Sequence, residues 1–360
     1  MELPLSLKGG NPLSKKVKKR EYRNSAFYKP NTVQVELVQG CNRRCSFCGS
    51  NGFERKIHCI SKEVLQRECE LIAESGYNPR ILLAGHGENT LHPNFYQCIK
   101  LMRKLLPTHW IQILTNGYLV KKDLNAICKM FDAGLNDVTL DEYADSKFDD
   151  EEIQALLDEY ESKTGTHVEF VRMRKGVPLY APKQYKKHRL LIIPAIEEEE
   201  ICVSRKLTNH CGAGMPPRTD YTDRVCSRIF REMSFRWDGW VAMCCQDFRG
   251  QYPVVNCMDP EVKCFDDMWR HDRYEAARRI LYHDHRTFFP CNVCDHIPMR
   301  EGLLPDHLGK EDMEKPTEKD YAIVNEPHEA LTKMVPREWE KDGITCAENL
   351  NLPKRKKGKK

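Results

Sequence analysis

The sequence of 360 residues has no run of about 18 apolar residues, the length at which a stretch reads as a membrane-spanning helix. Its leading stretch, MELPLSLKGGNPLSKKVKKR, also lacks the apolar centre of a secretory signal. A cytoplasmic protein without membrane contact is therefore the expectation. Charge of one sign is scarce too: 57 Lys and Arg stand against 53 Asp and Glu, which excludes a polycation as the overall class. Two basic blocks are the exception, KKVKKR (15–20) and KRKKGKK (354–360). They read as solvated tails, with contact to a polyanion as the other reading.

Cysteine, by contrast, is plentiful. Seventeen cysteines in a reducing compartment argue against a disulfide scaffold and for metal binding. Three of them, Cys41, Cys45 and Cys48, fall within QGCNRRCSFCGSNG (39–52). Three thiolates are an incomplete set, because structural zinc and iron-sulfur clusters usually take four protein ligands. Either a fourth ligand such as His58 or Cys59 completes a zinc knuckle, or the site stays open.

Hydrophobic periodicity supplies the frame. NTVQVELVQG (31–40) puts Val33, Val35 and Leu37 at period two, a strand that ends just before the cysteines. A helix follows from Ser61, a suitable N-cap, to Gly76, then the strand RILLAGHGEN. Strands WIQILTNG, DVTLDEY and HVEFVRM alternate with helices through Phe95–Leu106, Leu124–Phe131 and Asp149–Lys163. A sixth strand lies at 189–196 or near 201–209. Such alternation predicts an α/β fold, a partial (β/α)6 barrel of parallel strands, followed by a small cysteine-rich domain. The expected boundaries are a basic polar leader at 1–30, the core at 31–214, the small domain at 215–304 and an extended charged tail with little core at 305–360.

The spacing CxxxCxxC after the first strand, with Phe47 just before the third cysteine, resembles the radical S-adenosylmethionine (SAM) superfamily. That resemblance implies a 4Fe–4S cluster on Cys41, Cys45 and Cys48, with SAM chelating the fourth iron. It also implies reductive cleavage of SAM to a 5′-deoxyadenosyl radical, fed by a reductant such as flavodoxin or ferredoxin. AGHGEN (84–89) is similar to the family's GGE motif, which carries SAM contacts onto Gly85, Gly87 and Glu88, although His86 separates the glycines. LTNG (114–117) and VTLD (138–141) resemble its TNG and VSLD elements and make Asn116, Thr139 and Asp141 candidates for SAM or substrate contacts. LTNHCGAG (207–214) resembles the NRxG element of SPASM-type members, but His210 replaces the Arg and no role is assigned to it.

Cys226, Gly239 and Cys244 follow a Cx12Gx4C pattern, and Cys291 and Cys294 form a CxxC. Between them FDDMWRHDRYEAARRILYH (265–283) reads as one amphipathic helix. The order resembles a SPASM or Twitch domain, which implies one auxiliary 4Fe–4S cluster on Cys226, Cys244, Cys291 and Cys294. A four-cysteine zinc site is the alternative, and Cys245 is an alternative to Cys244. The other cysteines, Cys211 among them, read as small core residues.

The substrate is less legible. The basic ends and the aromatic-basic stretch RMRKGVPLYAPKQYKKHR (172–189) suit a phosphate backbone and stacked bases, or else a solvated excursion. The expectation is a nucleobase or nucleobase-linked amino acid, isomerised or modified, as in hypermodification of viral DNA. A peptide-modifying or enzyme-maturing role and a non-catalytic zinc or iron-sulfur scaffold are the alternatives.

Overall fold

Val33 and Val35 are fully buried in Thr32–Val35 (β1), and Thr32 and Gln34 on the opposite face are buried too. Burial on both faces is the mark of a strand inside a parallel sheet. The computed structural model describes residues 29–53, 56–143, 145, 147–173, 188–194, 208–214, 226–296, 313–328 and 331. After β1 come β2 (Val38–Gln39) and β3 (His58–Cys59), an antiparallel pair that brackets the cysteine loop. The chain then runs through α1 (Lys62–Glu74), β4 (Arg80–Leu83), α2 (Phe95–Leu105) and β5 (Ile111–Thr115). It continues with α3 (Tyr118–Lys122), α4 (Ala126–Ala133), β6 (Asp137–Asp141), α5 (Asp150–Thr164), β7 (Val168–Arg172) and β8 (His188–Ile193). The later elements are β9 (Glu232–Phe235), β10 (Trp240–Ala242), β11 (Pro253–Asn256), α6 (Phe265–Trp269), α7 (Asp272–His283) and α8 (Glu318–Val324).

Local chemistry sets the helix ends. Ser61 Oγ accepts from Val64 N at the start of α1, and the Asp149 carboxylate accepts from Glu151 N and Glu152 N at the start of α5. Gly165 closes α5 in the left-handed conformation, φ 68°. One face of the sheet, with Val33, Val35, Ile81, Leu83, Ile111, Ile113, Val138 and Leu140, packs in a single core with the apolar sides of α1, α2, α4 and α5. The other face is polar: Gln112 Nε2 donates to Thr139 Oγ1 at 3.0 Å, and Thr139 Oγ1 donates to Asp137 at 3.0 Å.

The strands lie in the order β11-β10-β9-β1-β4-β5-β6-β8-β7, and every pair from β9 to β7 is parallel. This bears out the parallel α/β core. The sixth core strand is the 188–193 segment, and it enters between β6 and β7, so the last two strands exchange places relative to sequential winding. A buried ion pair marks the register: Arg189 Nε donates to Asp137 at 2.8 Å, and the two residues face each other across β6 and β8. The alternative strand near 201–209 falls mostly outside the described residues, as does most of the basic stretch 172–189.

Three expectations for the second half change. Its hairpin is not set apart from the core, because β9 pairs with β1 from Thr32↔Glu232 to Val35↔Phe235 and extends the same sheet. The 265–283 helix is two, α6 and α7, interrupted where His271 turns extended and its Nδ1 accepts from Arg273 N. The 305–360 tail is not uniformly extended. α8 starts at a capping box of Thr317 and Asp320 and packs on α7 through the Arg279–Asp320 pair, with Met313 and Val324 buried. No helix among the described residues is long and apolar enough to cross a membrane.

Arg189→Met would leave Asp137 buried without its partner. We expect a loss of about 3–5 kcal/mol in denaturant unfolding; a loss within about 0.5 kcal/mol would show that the pair does not hold β8 in place.

Candidate active site

Gly40 ends β2 against the loop after β4. Its N–H donates to His86 O at 3.3 Å, and Glu88 N donates back to Gly40 O at 3.0 Å. Gly87 sits so close that a Cβ there would lie 2.3 Å from Gly40 O. Only glycine permits this approach. Glu88 then collects four donors: Thr90 N (3.1 Å), Thr90 Oγ1 (2.6 Å) and Thr115 Oγ1 (2.7 Å) on one oxygen, Asn116 N (2.7 Å) on the other. The carboxylate is thus committed to holding the TNG turn. Asn89, unassigned from sequence, takes Leu37 N at 2.8 Å and Val38 N at 3.2 Å on its Oδ1 and fixes the chain just ahead of the cysteines.

Cys41, Cys45 and Cys48 occupy the loop that follows, all half-buried. Arg43 N (3.3 Å) and Asn116 Nδ2 (3.5 Å) approach the Cys41 thiol, and Asn116 Nδ2 also donates to Asn42 Oδ1 at 2.9 Å. Burial pushes the Cys41 thiol up to about 11; the Arg43 N–H works against this, while Glu88, Cys48 and Cys45 add to it. The Cys41 sulfur therefore senses the other two, and a cation bound beside it would favour its thiolate. Cys48 Sγ and Ser50 Oγ share a hydrogen bond at 3.0 Å. Phe47 is half-buried, and its carbonyl abuts Gly214, where a Cβ would come within 2.4 Å.

Neither proposed fourth ligand turns to this loop. The His58 ring stacks on Trp237 at 4.6 Å, and the neighbour of the Cys59 thiol is Cys98. Among the other candidates, Asn116 reaches Cys41, and Asp141 lies near Glu88, with its carboxyl pushed up to about 7 by burial and by that neighbouring carboxylate. Thr139 is not brought to the cysteines: its hydroxyl is spent on Gln112 and Asp137 inside the sheet. Sequence reasoning passed over the Arg43 guanidinium, which lies 3.9 Å over the Tyr143 ring and pairs with Asp145 at 3.0 Å, and over Tyr143 itself, whose hydroxyl bonds to Cys45. The signal available was the pair of arginines inside the cysteine motif.

The cysteines of the second set lie within electrostatic reach of one another, although among the described residues no three His, Cys, Asp or Glu side chains stand at metal-holding distance. Burial pushes Cys226 and Cys291 above the ordinary thiol range, and both feel Cys294. Cys244 feels Cys226 and Arg228, and Cys245, which feels Arg228 and Glu232, is held down to about 7 by a hydrogen bond with Cys244. Cys211, read from sequence as a core residue, joins the group: it is buried and its side chain hydrogen-bonds to Cys294.

Residues 35–141 match the Radical SAM superfamily. The chain carries a radical SAM domain. Among curated proteins it is 37% identical over 43 residues to ribosomal protein uS12 methylthiotransferase RimO of Sulfurovum sp. (strain NBC37-1), 12% of this chain and 10% of that protein. It is 30% identical over 125 residues to a probable GTP 3′,8-cyclase of Thermoplasma volcanium, 35% of this chain and 36% of that protein. The chain thus matches only about a tenth and a third of these relatives' lengths. The crystal structure of BtrN in complex with AdoMet and 2-DOIA superposes with a TM-score of 0.54 over 74% of this chain and 94% of that one, at 16% identity, a likeness of fold.

The radical SAM domain and the second cysteine set meet around Phe248. Its ring lies 4.5 Å from the His86 ring and 4.3 Å from the His210 ring, and a Cβ on Gly49 would strike it at 2.6 Å. Behind it is a buried charge network. Glu36 pairs with His86 at 3.0 Å and accepts from Trp237 N at 3.2 Å; burial raises its carboxyl, but His86 and Arg236 hold it below the ordinary value. His86 thus interrupts the glycine motif of the radical SAM domain in order to join it to β9.

Gly87→Ala should destabilise the protein by about 3 kcal/mol by forcing Gly40 aside, read as a fall in Tm. Gly76→Ala, with nothing near the added Cβ, should cost about 1 kcal/mol. Equal losses would contradict the close approach.

Proposed function

We propose that the protein is a radical SAM enzyme in which Cys41, Cys45 and Cys48 hold a 4Fe–4S cluster and leave one iron to SAM. The observation that carries this is that Cys41 lies within electrostatic reach of Cys45 and Cys48, all three half-buried in one loop, while His58 and Cys59 face elsewhere. The donor set fits the group: three soft thiolates suit iron-sulfur ligation, and an open position suits a chelating cofactor. When bound, the cluster and SAM supply a 5′-deoxyadenosyl radical able to remove hydrogen from an unactivated C–H bond.

The chain's own residues bind and position. Glu88 holds the TNG turn, which presents Asn116 to Cys41, and Gly85 and Gly87, packed on Glu36 and Gly40, let the loop after β4 close on the end of β2. Asp141, beside Glu88, is the carboxylate we assign to the SAM amino group. Arg43, stacked on Tyr143 and paired with Asp145, fixes the loop that carries Cys45. The second set, Cys226, Cys244, Cys291 and Cys294, would hold an auxiliary 4Fe–4S cluster closed by four thiolates, in a SPASM- or Twitch-like domain. Cys244 is the ligand we favour over Cys245, because Cys244 lies within electrostatic reach of Cys226.

As substrate we propose a nucleobase or a nucleobase-linked amino acid. Support comes from the basic blocks at 15–20 and 354–360, the aromatic-basic stretch 172–189, and the local likeness to a probable GTP 3′,8-cyclase. Salt-sensitive binding of DNA or RNA that is lost on trimming both tails would support it. Turnover of free peptide without nucleic-acid affinity would remove it.

Anaerobic reconstitution should load about eight irons per chain, two four-iron clusters, and dithionite should drive release of 5′-deoxyadenosine. Cys45→Ala should abolish that release and keep about four irons. Two zincs and no SAM cleavage would overturn the enzyme reading.

A further inference from the structure

Asn209–Gly214 makes an unusual turn. His210 (φ 49°), Cys211 (φ 51°) and Gly212 (φ 81°) are all left-handed, and the first two carry a Cβ, which costs each about 1–2 kcal/mol. Such strain persists only where the surroundings over-determine it. Here both sides do. Asn209 N donates to Asp295 Oδ1 at 2.6 Å, Asp295 N returns a bond to Asn209 Oδ1 at 3.1 Å, and Asn209 Nδ2 donates to Val293 O at 2.8 Å. These bonds lock the turn to the CxxC loop. On the other side His210 Nδ1 accepts from Gly49 N at 3.2 Å, next to Cys48. The strained residue that follows these anchors is Cys211, buried, with its side chain on Cys294.

We propose that the Cys211 S–H donates a hydrogen bond to the Cys294 sulfur when Cys294 holds the auxiliary cluster, and that this bond sets the cluster's reduction potential. The proposal rests on the iron-sulfur reading of the second cysteine set. An iron-bound thiolate has no proton to give, so the donor in this pair is Cys211. A donor to a ligating sulfur stabilises the more negative reduced cluster and raises its potential. Cys211 is thus a positioning residue, and the strained turn is what keeps its thiol from swinging away.

The test is a redox titration followed by electron paramagnetic resonance on the full chain carrying Cys45→Ala, in which the auxiliary signal stands alone. Adding Cys211→Ala should lower the midpoint by about 59 mV, a tenfold change for a one-electron couple, with iron content unchanged. Cys211→Ser, which keeps a donor, should leave the midpoint at or above the parent value. An unchanged midpoint in the alanine variant overturns the proposal, as does an equal fall in both variants or loss of iron from both, which would make Cys211 a ligand. Zinc in place of iron in the parent would sink the iron-sulfur reading itself.

Discussion

Glu88 takes four hydrogen bonds on two oxygens, and the arrangement of the site follows from that saturation. Its donors come from its own loop and from the end of β5, so one carboxylate ties together turns that are distant in sequence. Bonds to an ionised acceptor are worth about 1.5–3 kcal/mol each, and a buried carboxylate left short of them carries a large desolvation cost. The contact of Gly87 with Gly40 brings the end of β2 to the same place. With both in position, Asn116 Nδ2 can reach Cys41 and Asn42, and the cysteine loop gains a fixed floor.

The same economy joins the two cysteine sets. The hairpin β9–β10 continues the core sheet rather than forming a separate layer, so Arg236 and Trp237 arrive beside Glu36 and Gln39 at the mouth of the radical SAM domain. Glu36, His86 and Arg236 are all buried. A buried charge stripped of one partner typically costs about 3–5 kcal/mol, so this network ties the second half of the chain to the first with a specificity that apolar packing alone lacks. Phe248 and His210 fill the gap in front of it, and burial together with His86 pushes the His210 ring down to about 3. The neutral ring can therefore accept from Gly49 N, and the turn that carries Cys211 is anchored to the loop that carries Cys48.

Much of the fold was legible because its signals are local. Ser61 caps the helix its position predicted, Gly76 turns left-handed just beyond that helix, and the period-two valines of β1 are buried. The exceptions share a cause. The insertion of β8 between β6 and β7 is tied to an Asp137–Arg189 pair 52 residues apart, and the break at His271 to a cap made by an imidazole inside an unbroken apolar pattern. The docking of α8 on α7 depends on Arg279 meeting Asp320. Periodicity carries no information about such pairings.

For the site, spacing along a few residues was enough to pick out the cysteine loop and the glycine and TNG turns. What each side chain meets came from the folded chain: Thr139 is spent inside the sheet, His58 lies on Trp237, Arg43 on Tyr143, and Cys211 on Cys294. The difference is one of reach. A turn is governed by the backbone freedom of its own residues, whereas a buried thiol or carboxylate is governed by whatever polar group the fold brings within about 3 Å of it.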